Sequence, residues 1–376
     1  MNLFDVYPLF NITPVRGQGC YVWDDNGNKY LDLYGGHAVI SVGHSHPHYI
    51  KTISDQLQKI GFYSNSVQNP LQQELATKLG EISGYNDYQL FLCNSGAEAN
   101  ENAIKLASFE TGKKKFISFT KAFHGRTSAA VALTDNPKII APVNESSNAI
   151  ILPLNNIYEV EKQLEKGDVA AIIIEGIQGI GGIIIPDPEF LRELSRLTRK
   201  HHCLLIIDEI QSGYGRCGEF FAHQYVEVKP DIITVAKGMG NGFPVGGVLI
   251  SPGLKPWPGM LGTTFGGNHL ACAASIAVLD IIKQENLIQN SLQIGELLMN
   301  ELESLSVNVK LRGKGLMIGI EFPHEIGEIR KKLLFKHKIF TGVSGKNIIR
   351  LLPPLCIKEE EASTFIKAFK QVLAGN

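Results

Sequence analysis

Apolar residues in this chain are gathered into short runs set between polar stretches of helical period. Seven runs fall at residues 88–93, 116–119, 149–152, 170–174, 204–207, 232–235 and 245–250. A run that is apolar at every position, instead of at alternate ones, reads as a strand covered on both faces. Residues 97–107, with little bulk near their start, and 189–201, with Phe190, Leu194 and Leu197 on one face, predict helices between the strands. The alternation predicts an α/β fold: a mostly parallel, seven-stranded sheet with helices on both sides.

The two ends of the chain are patterned differently. Residues 19–33 alternate apolar and polar positions around Asp25-Asn26-Gly27, which predicts a hairpin. Pro47 opens a helix in which Ile50, Ile53, Leu57 and Ile60 are expected to form one buried stripe. A long helix over about 268–284 leads to charged helices and alternating strands within 310–322 and 348–352, a smaller α+β domain. The N-terminal hairpin is expected to join that domain. This divides the chain into residues 1–45 (small domain), 46–265 (large domain) and 266–376 (small domain).

Charge narrows the partners. Lys plus Arg total 36 against 37 Asp plus Glu, with no long run of one sign, which argues against a nucleic-acid groove or a polybasic membrane patch. The segment 169–186 is interrupted by Glu175, Gln178 and several glycines, so it does not read as a membrane span. The first residues lack the cationic start and apolar stretch of a signal peptide, and six scattered cysteines without a C-x-x-C pair fit a reducing compartment. A cytoplasmic protein is expected. The alternating histidines of Gly43-His44-Ser45-His46-Pro47-His48 raise a zinc reading, but nothing nearby fixes a ligand geometry, so no metal is expected.

Two charges stand out because each ends an apolar strand. Asp208 closes the run 204–207 and Lys237 follows 232–235, and a charge there is costly unless it meets a partner. Ligands of open α/β sheets collect in the crevice at the carboxyl ends of the strands. Taken singly, Asp208 reads as a cap or half of an ion pair, Lys237 as a solvated turn residue, and Ser95-Gly96-Ala97 as a tight connection. Together they suit an aldehyde cofactor with a phosphate tail and a pyridine ring. Such a group needs an amine, an anion beside the ring nitrogen, donors for the phosphate and a flat side chain on the ring face. Lys237, Asp208, the turn at Ser95, Gly96 and Ala97, and Phe123 supply these.

Ordered motifs then run along nearly the whole chain. They are Tyr30-Leu31-Asp32, Gly43-His44-Ser45-His46-Pro47, Asn94-Ser95-Gly96-Ala97-Glu98-Ala99-Asn100-Glu101, Phe123-His124-Gly125-Arg126, Ile207-Asp208-Glu209-Ile210-Gln211-Ser212-Gly213, Ala236-Lys237-Gly238, Thr263-Thr264-Phe265-Gly266-Gly267-Asn268 and Arg350-Leu351-Leu352-Pro353-Pro354-Leu355. In these motifs the chain resembles the class III, ornithine/acetylornithine-type, pyridoxal-phosphate aminotransferases of fold type I, the acetylornithine type most of all. The resemblance implies that Lys237 holds the cofactor covalently and later moves the proton, with Asp208 paired to the pyridinium nitrogen. It places Gln211 near the ring hydroxyl and Phe123 on the ring. It also implies phosphate donors from Ser95, Gly96 and Ala97, helped by Thr264 from the partner of a homodimer with a shared site. Arg350 would take the α-carboxylate of 2-oxoglutarate and Arg126 the far carboxylate of each substrate. Glu175 would pair with Arg350 when the substrate presents a terminal amine with no carboxylate beside it, and swing away when 2-oxoglutarate arrives.

Two departures bear on specificity. Where the family has Glu-Pro-Val/Ile-Gln-Gly-Glu-Gly-Gly, this chain has Glu175-Gly176-Ile177-Gln178-Gly179-Ile180-Gly181-Gly182, and His37 stands where an apolar residue is expected. Loss of the proline is expected to loosen the backbone, and the changes together to give a roomier, more basic pocket suited to a succinyl carboxylate over an acetyl methyl. The implied activity moves the terminal amine of an N-acylated ornithine (acetyl or succinyl) to 2-oxoglutarate, giving a semialdehyde and glutamate, in arginine biosynthesis. Ornithine, 4-aminobutyrate and diamine transaminases, an aminomutase, a decarboxylase, and a protein that holds the cofactor without turnover are the alternatives.

Overall fold

All seven apolar runs form strands of one sheet. In spatial order these are Gln89–Cys93, Gly246–Ile250, Ile232–Val235, Leu204–Asp208, Val169–Glu175, Lys115–Phe119 and Ala149–Leu152. Only Gly246–Ile250 runs antiparallel to its neighbours. The computed structural model describes residues 1–305 and 307–375.

Both faces are covered, as continuous apolar runs require. On one face Ile117, Phe119, Ile172, Ile174, Leu205 and Ile207 pack against Phe190, Leu191, Leu194 and Leu197 of the helix Pro188–Lys200. On the other, Phe116, Ala171, Ile173, Ile206 and Val248 meet Ala99, Ala103 and Ala107 of the helix Gly96–Thr111. All seven residues of Val169–Glu175 are buried. Each large aliphatic side chain so covered contributes roughly 1.5–3 kcal/mol, enough in sum to hold the acid at the strand's end out of water.

Register does the positioning. Glu175 is opposite Asp208, and Asp208 is opposite Thr234, across three neighbouring parallel strands. The Ser95 turn lies at the same edge because Gly246 pairs with Cys93. A Cβ at Gly246 would come within 2.6 Å of the Ser95 carbonyl oxygen, so glycine permits this close approach.

A second seven-stranded sheet joins the two ends of the chain. Its order is Pro14–Gln18, Tyr21–Asp24, Lys29–Leu33, Ile339–Ser344, Ile348–Leu351, Met317–Glu321 and Lys310–Lys314. The hairpin around Gly27 forms, with Gly27 at a positive φ of 79°. Lys29–Leu33 then pairs in parallel with Ile339–Ser344, a strand absent from the sequence-based expectation.

The helix Pro47–Lys59 is present, but its expected buried stripe is not: Ile50 is 49% exposed, Leu57 62% and Ile60 41%. Nothing else among the described residues covers those three side chains. The neighbouring histidines make pairs instead of a metal site: His44 with Asp32, His46 with Glu285 and His48 with Asp280. Among the described residues no helix is long and apolar enough to cross a membrane.

Candidate active site

A cavity of about 420 Å³ opens at the carboxyl ends of the parallel strands. Ser95, Gly96, Ala97, Phe123, Arg126, Glu175, Asp208, Gln211 and Lys237 all line it, so nine residues singled out from the sequence converge on one space. Ile180 and His124 line it too.

The N-terminal end of the helix Gly96–Thr111 faces this cavity. Ser95 caps it, its Oγ accepting the Glu98 N–H at 3.2 Å, and Glu98 in turn accepts the Asn94 N–H at 2.6 Å. With those two donors occupied, the first-turn N–H groups of Gly96 and Ala97 remain for an anion. Ile210 lies so close that a Cβ at Gly96 would stand 2.9 Å from its methyl carbons, which fixes the floor of the turn.

Asp208 is 4% exposed and its donors are fully specified. Oδ2 accepts from Asn100 Nδ2 and His124 Nδ1, each at 2.8 Å, and Oδ1 accepts the Ile210 N–H at 3.0 Å. An ionised carboxylate is acceptor-only, so this bond puts a proton on His124 Nδ1. No lysine or arginine lies within ion-pair distance of Asp208 among the described residues. A buried carboxylate held this way lacks only a cation, which a protonated pyridine nitrogen would provide.

Lys237 follows its strand in a left-handed conformation, φ 48°, a backbone cost of the kind met at functional sites. Burial lowers its amine from the ordinary lysine range, while Asp208 and Glu175 act in the opposite sense. A proton-transferring amine needs that shift. Gln211 donates from Nε2 to the His37 carbonyl at 3.0 Å, and its buried Oε1 has no partner in the chain. A Cβ on Gly179 would fall 1.7 Å from that Oε1, so Gly179 leaves room for the Gln211 side chain.

Glu175 and Arg350 do not pair in the chain by itself. Glu175 Oε1 accepts the Phe123 N–H at 3.0 Å and Oε2 the Gly179 N–H at 2.9 Å, so backbone donors occupy both oxygens. Burial nevertheless pushes this carboxyl up to about 7. Arg350, 1% exposed, donates from Nε to the Val343 carbonyl at 3.0 Å and from Nη1 to the Gly179 carbonyl at 3.1 Å. Arg350 therefore stands behind the cavity lining. Thr264 lies outside this chain's cavity, exposed on the loop before the helix His269–Gln284.

The consequences drawn from the two departures change. Gly176 is not loose: its N–H donates to the Asp208 carbonyl at 3.1 Å, and a Cβ there would meet Glu209 Oε1 at 2.6 Å and Ala222 Cβ at 3.0 Å. His37 adds no positive charge at neutral pH. Burial first, then Arg350 and Lys237, push its imidazole down to about 4, and its ring bonds the Tyr34 hydroxyl.

Two residues of the site were not singled out from the sequence. Asn100, 0% exposed, donates to both Asp208 and the His124 carbonyl and accepts from Thr234 Oγ1 at 2.7 Å. His124 anchors the other side of Asp208. The available signal was a polar residue breaking the small apolar face of Ala99, Ala103 and Ala107.

An acid, an amine and a helix N-terminus gathered at this edge of such a sheet define a pyridoxal-phosphate enzyme. The model for "Aminotransferase class-III" matches residues 5–373, and the chain belongs to that family. Its cofactor is pyridoxal 5'-phosphate. Among curated relatives, the acetylornithine aminotransferase of Bacillus subtilis (strain 168) is 42% identical, over 99% of this chain and 98% of its own length. That of Archaeoglobus fulgidus is 39% identical, over 97% and 96%. Of solved structures, the ornithine aminotransferase of Toxoplasma gondii ME49 superposes with TM-score 0.90 at 28% identity, covering 98% of this chain and 93% of that one. The acetylornithine aminotransferase of Elizabethkingia anophelis gives TM-score 0.85 at 31% identity, covering 98% and 95%.

Proposed function

We propose that this chain is an acylornithine aminotransferase of arginine biosynthesis, moving the terminal amine of an N-acylated ornithine to 2-oxoglutarate and releasing a semialdehyde and glutamate. The observation that carries the reading is the cavity itself. It joins Lys237 and Asp208 to Arg126, with Arg350 behind its lining at the Gly179 carbonyl, and neither arginine has a carboxylate partner among the described residues. Full-length relatives named for acetylornithine support the same substrate class.

The residues divide the work. When bound, the cofactor supplies an aldehyde carbon that takes the amine covalently and a ring that withdraws electrons from it. Gly96 and Ala97 would hold the phosphate through N–H groups, Phe123 would cover the ring, and Asp208 would keep its nitrogen protonated. Gln211 Oε1, unpartnered among the described residues, would accept from the ring hydroxyl. Lys237 Nζ would be the group that moves the proton at the reacting carbon. Arg350 and Arg126 orient the substrate carboxylates as planar guanidinium forks.

Phe265, next to Thr264, is exposed with its ring 5.5 Å from that of the exposed Phe62, and Ile50, Leu57 and Ile60 are exposed as well. This fits a homodimer in which Thr264 completes the partner's phosphate site. A mixed dimer of a Thr264→Asp chain and a Lys237→Ala chain tests it: sharing leaves one intact site and about half the parental activity, since each subunit lends to the other. Activity no higher than in the Thr264→Asp homodimer would exclude sharing. Six cysteines free of disulfides accord with a cytoplasmic protein.

Glutamate formation from a panel of donors tests the activity. N-acetylornithine or N-succinylornithine is expected to lead in kcat/KM, and their ratio reads the acyl group directly. Preference for free ornithine, 4-aminobutyrate or a diamine would overturn the proposal.

A further inference from the structure

Away from the cofactor cavity, two of the six cysteines meet. Cys20 lies in the turn before Tyr21–Asp24 and Cys356 in the segment after Ile348–Leu351, 336 positions apart, yet their sulfurs are 3.7 Å from each other. The approach is held from both sides. Gly19 and His44 exchange backbone hydrogen bonds, the Leu355 N–H donates to the Ser41 carbonyl, and Asn290 Nδ2 donates to the carbonyls of Leu355 and Ile357. A Cβ on Gly43 would come within 2.7 Å of Cys356 Sγ, so the glycine admits the thiol.

This pair is also reachable. A second cavity, of about 630 Å³, is lined by Cys20 and Cys356 together with Arg16, His44, Lys358 and Glu361. Cys356 is half-buried, whereas Cys20 and the other four cysteines are buried. The hydrogen bond between the two sulfurs holds the Cys356 thiol below its ordinary range, and the same bond with burial raises Cys20. Cys356 is thereby the more acidic and the more accessible of the two sulfurs, the arrangement of a reactive and a resolving cysteine.

We infer that Cys20 and Cys356 form a modification site for hydroperoxides, in which Cys356 is oxidised and Cys20 resolves it to a disulfide. The Cys356 thiolate attacks the terminal peroxide oxygen, the O–O bond breaks, and the departing alkoxide leaves as alcohol on taking a proton. Cys356 is then a sulfenic acid. Cys20 sulfur attacks the Cys356 sulfur, the S–O bond breaks, and water leaves with the sulfenic oxygen and the Cys20 proton. In sum, two thiols and one hydroperoxide give one disulfide, one alcohol and one water. The two sulfurs lose two electrons and the O–O bond takes them. The bond then staples the N-terminal hairpin to the segment just past Arg350.

Holoenzyme treated with a small excess of hydrogen peroxide and digested without reductant tests this. The expected product joins the Cys20 and Cys356 peptides, lowers the intact mass by about 2 Da through loss of two hydrogens, and reverts with dithiothreitol. In Cys20→Ser, Cys356 is expected to be trapped by dimedone as the sulfenic acid with no link formed. Oxidised parent is expected to unfold at a higher temperature than reduced parent, with no such difference in Cys356→Ser. Oxidation at Cys93, Cys203, Cys217 or Cys272 ahead of Cys356 would overturn the inference. So would accumulation of Cys356 sulfinic acid in the parent without a Cys20 link.

Discussion

Replacing Asn100 with alanine removes one side chain and disturbs three groups at once. Its amide donates to Asp208 Oδ2 at 2.8 Å and to the His124 carbonyl at 2.7 Å, and accepts from Thr234 Oγ1 at 2.7 Å, all with no solvent exposure. Each buried polar group left without a partner costs roughly 1–3 kcal/mol. The vacated space is polar enough to admit a water that recovers part of this, so a net loss of about 2–4 kcal/mol in stability is expected. The effect on rate is separate. A hydrogen bond to a charged group contributes about 1.5–3 kcal/mol, and if that bond is what aims Asp208 at the ring nitrogen, kcat falls roughly 10- to 150-fold. Asp208 keeps its bonds from His124 and Ile210, so the cofactor is still bound. Steady-state rates at saturating cofactor, alongside thermal unfolding of the holoenzyme, measure the two effects. Thr234→Val is the control, since it removes one acceptor bond but leaves Asp208 untouched, and it should keep most of the rate. Asn100→Ala with a rate within threefold of the parent would refute the positioning argument, whatever its stability.

Glu175 makes stability depend on pH. Burial raises its native carboxyl from 4.5 to about 7, so the native state favours the protonated form. That contribution is fully present below about 4.5 and is lost as pH rises to about 7, on the order of 3 kcal/mol across the window. Glu175→Gln does not titrate, so denaturation midpoints at pH 5 and pH 8 should differ less in the variant than in the parent; equal differences would assign the effect elsewhere. Restoring the family's proline is expected to harm this chain. Gly176→Pro loses the bond to the Asp208 carbonyl and drives ring atoms into Glu209 and Ala222, destabilising it by about 2–4 kcal/mol, and a urea midpoint at or above the parent's would contradict that packing.

The large sheet was legible because its strands are short, mostly apolar runs rich in β-branched residues, and their length separates them from the helices between them. Ile339–Ser344 was not, since Gly342 and two hydroxyl residues break its run and its partner Lys29–Leu33 lies at the other end of the sequence. The helix Pro47–Lys59 shows a further limit. Spacing identifies an apolar face, but what covers that face depends on contacts outside the segment, and here Ile50, Leu57 and Ile60 remain exposed. Lys237 and Asp208 could be read because a charge ending an apolar strand is anomalous. Asn100 and His124 could not be singled out in the same way, because their value lies in where three elements bring their donors, not in their residue type.

Arg350 carries this last point into specificity. A buried guanidinium whose described partners are two backbone carbonyls has hydrogen bonds but no counter-charge, and burial lowers its affinity for a proton. Glu175 cannot compensate it without giving up the Phe123 and Gly179 N–H bonds, which would leave two buried donors unpaired. Ile180, directly after the carbonyl that Arg350 holds, offers no acid. In the proposed reaction that charge is supplied by the substrate. An acceptor with a carboxylate beside its reacting carbon fills the gap, whereas a terminal-amine donor leaves it open. The same amine donor and 2-oxoglutarate should accordingly differ in their response to Arg350→Lys. The acceptor half-reaction should lose far more of its kcat/KM, because it alone uses the planar fork.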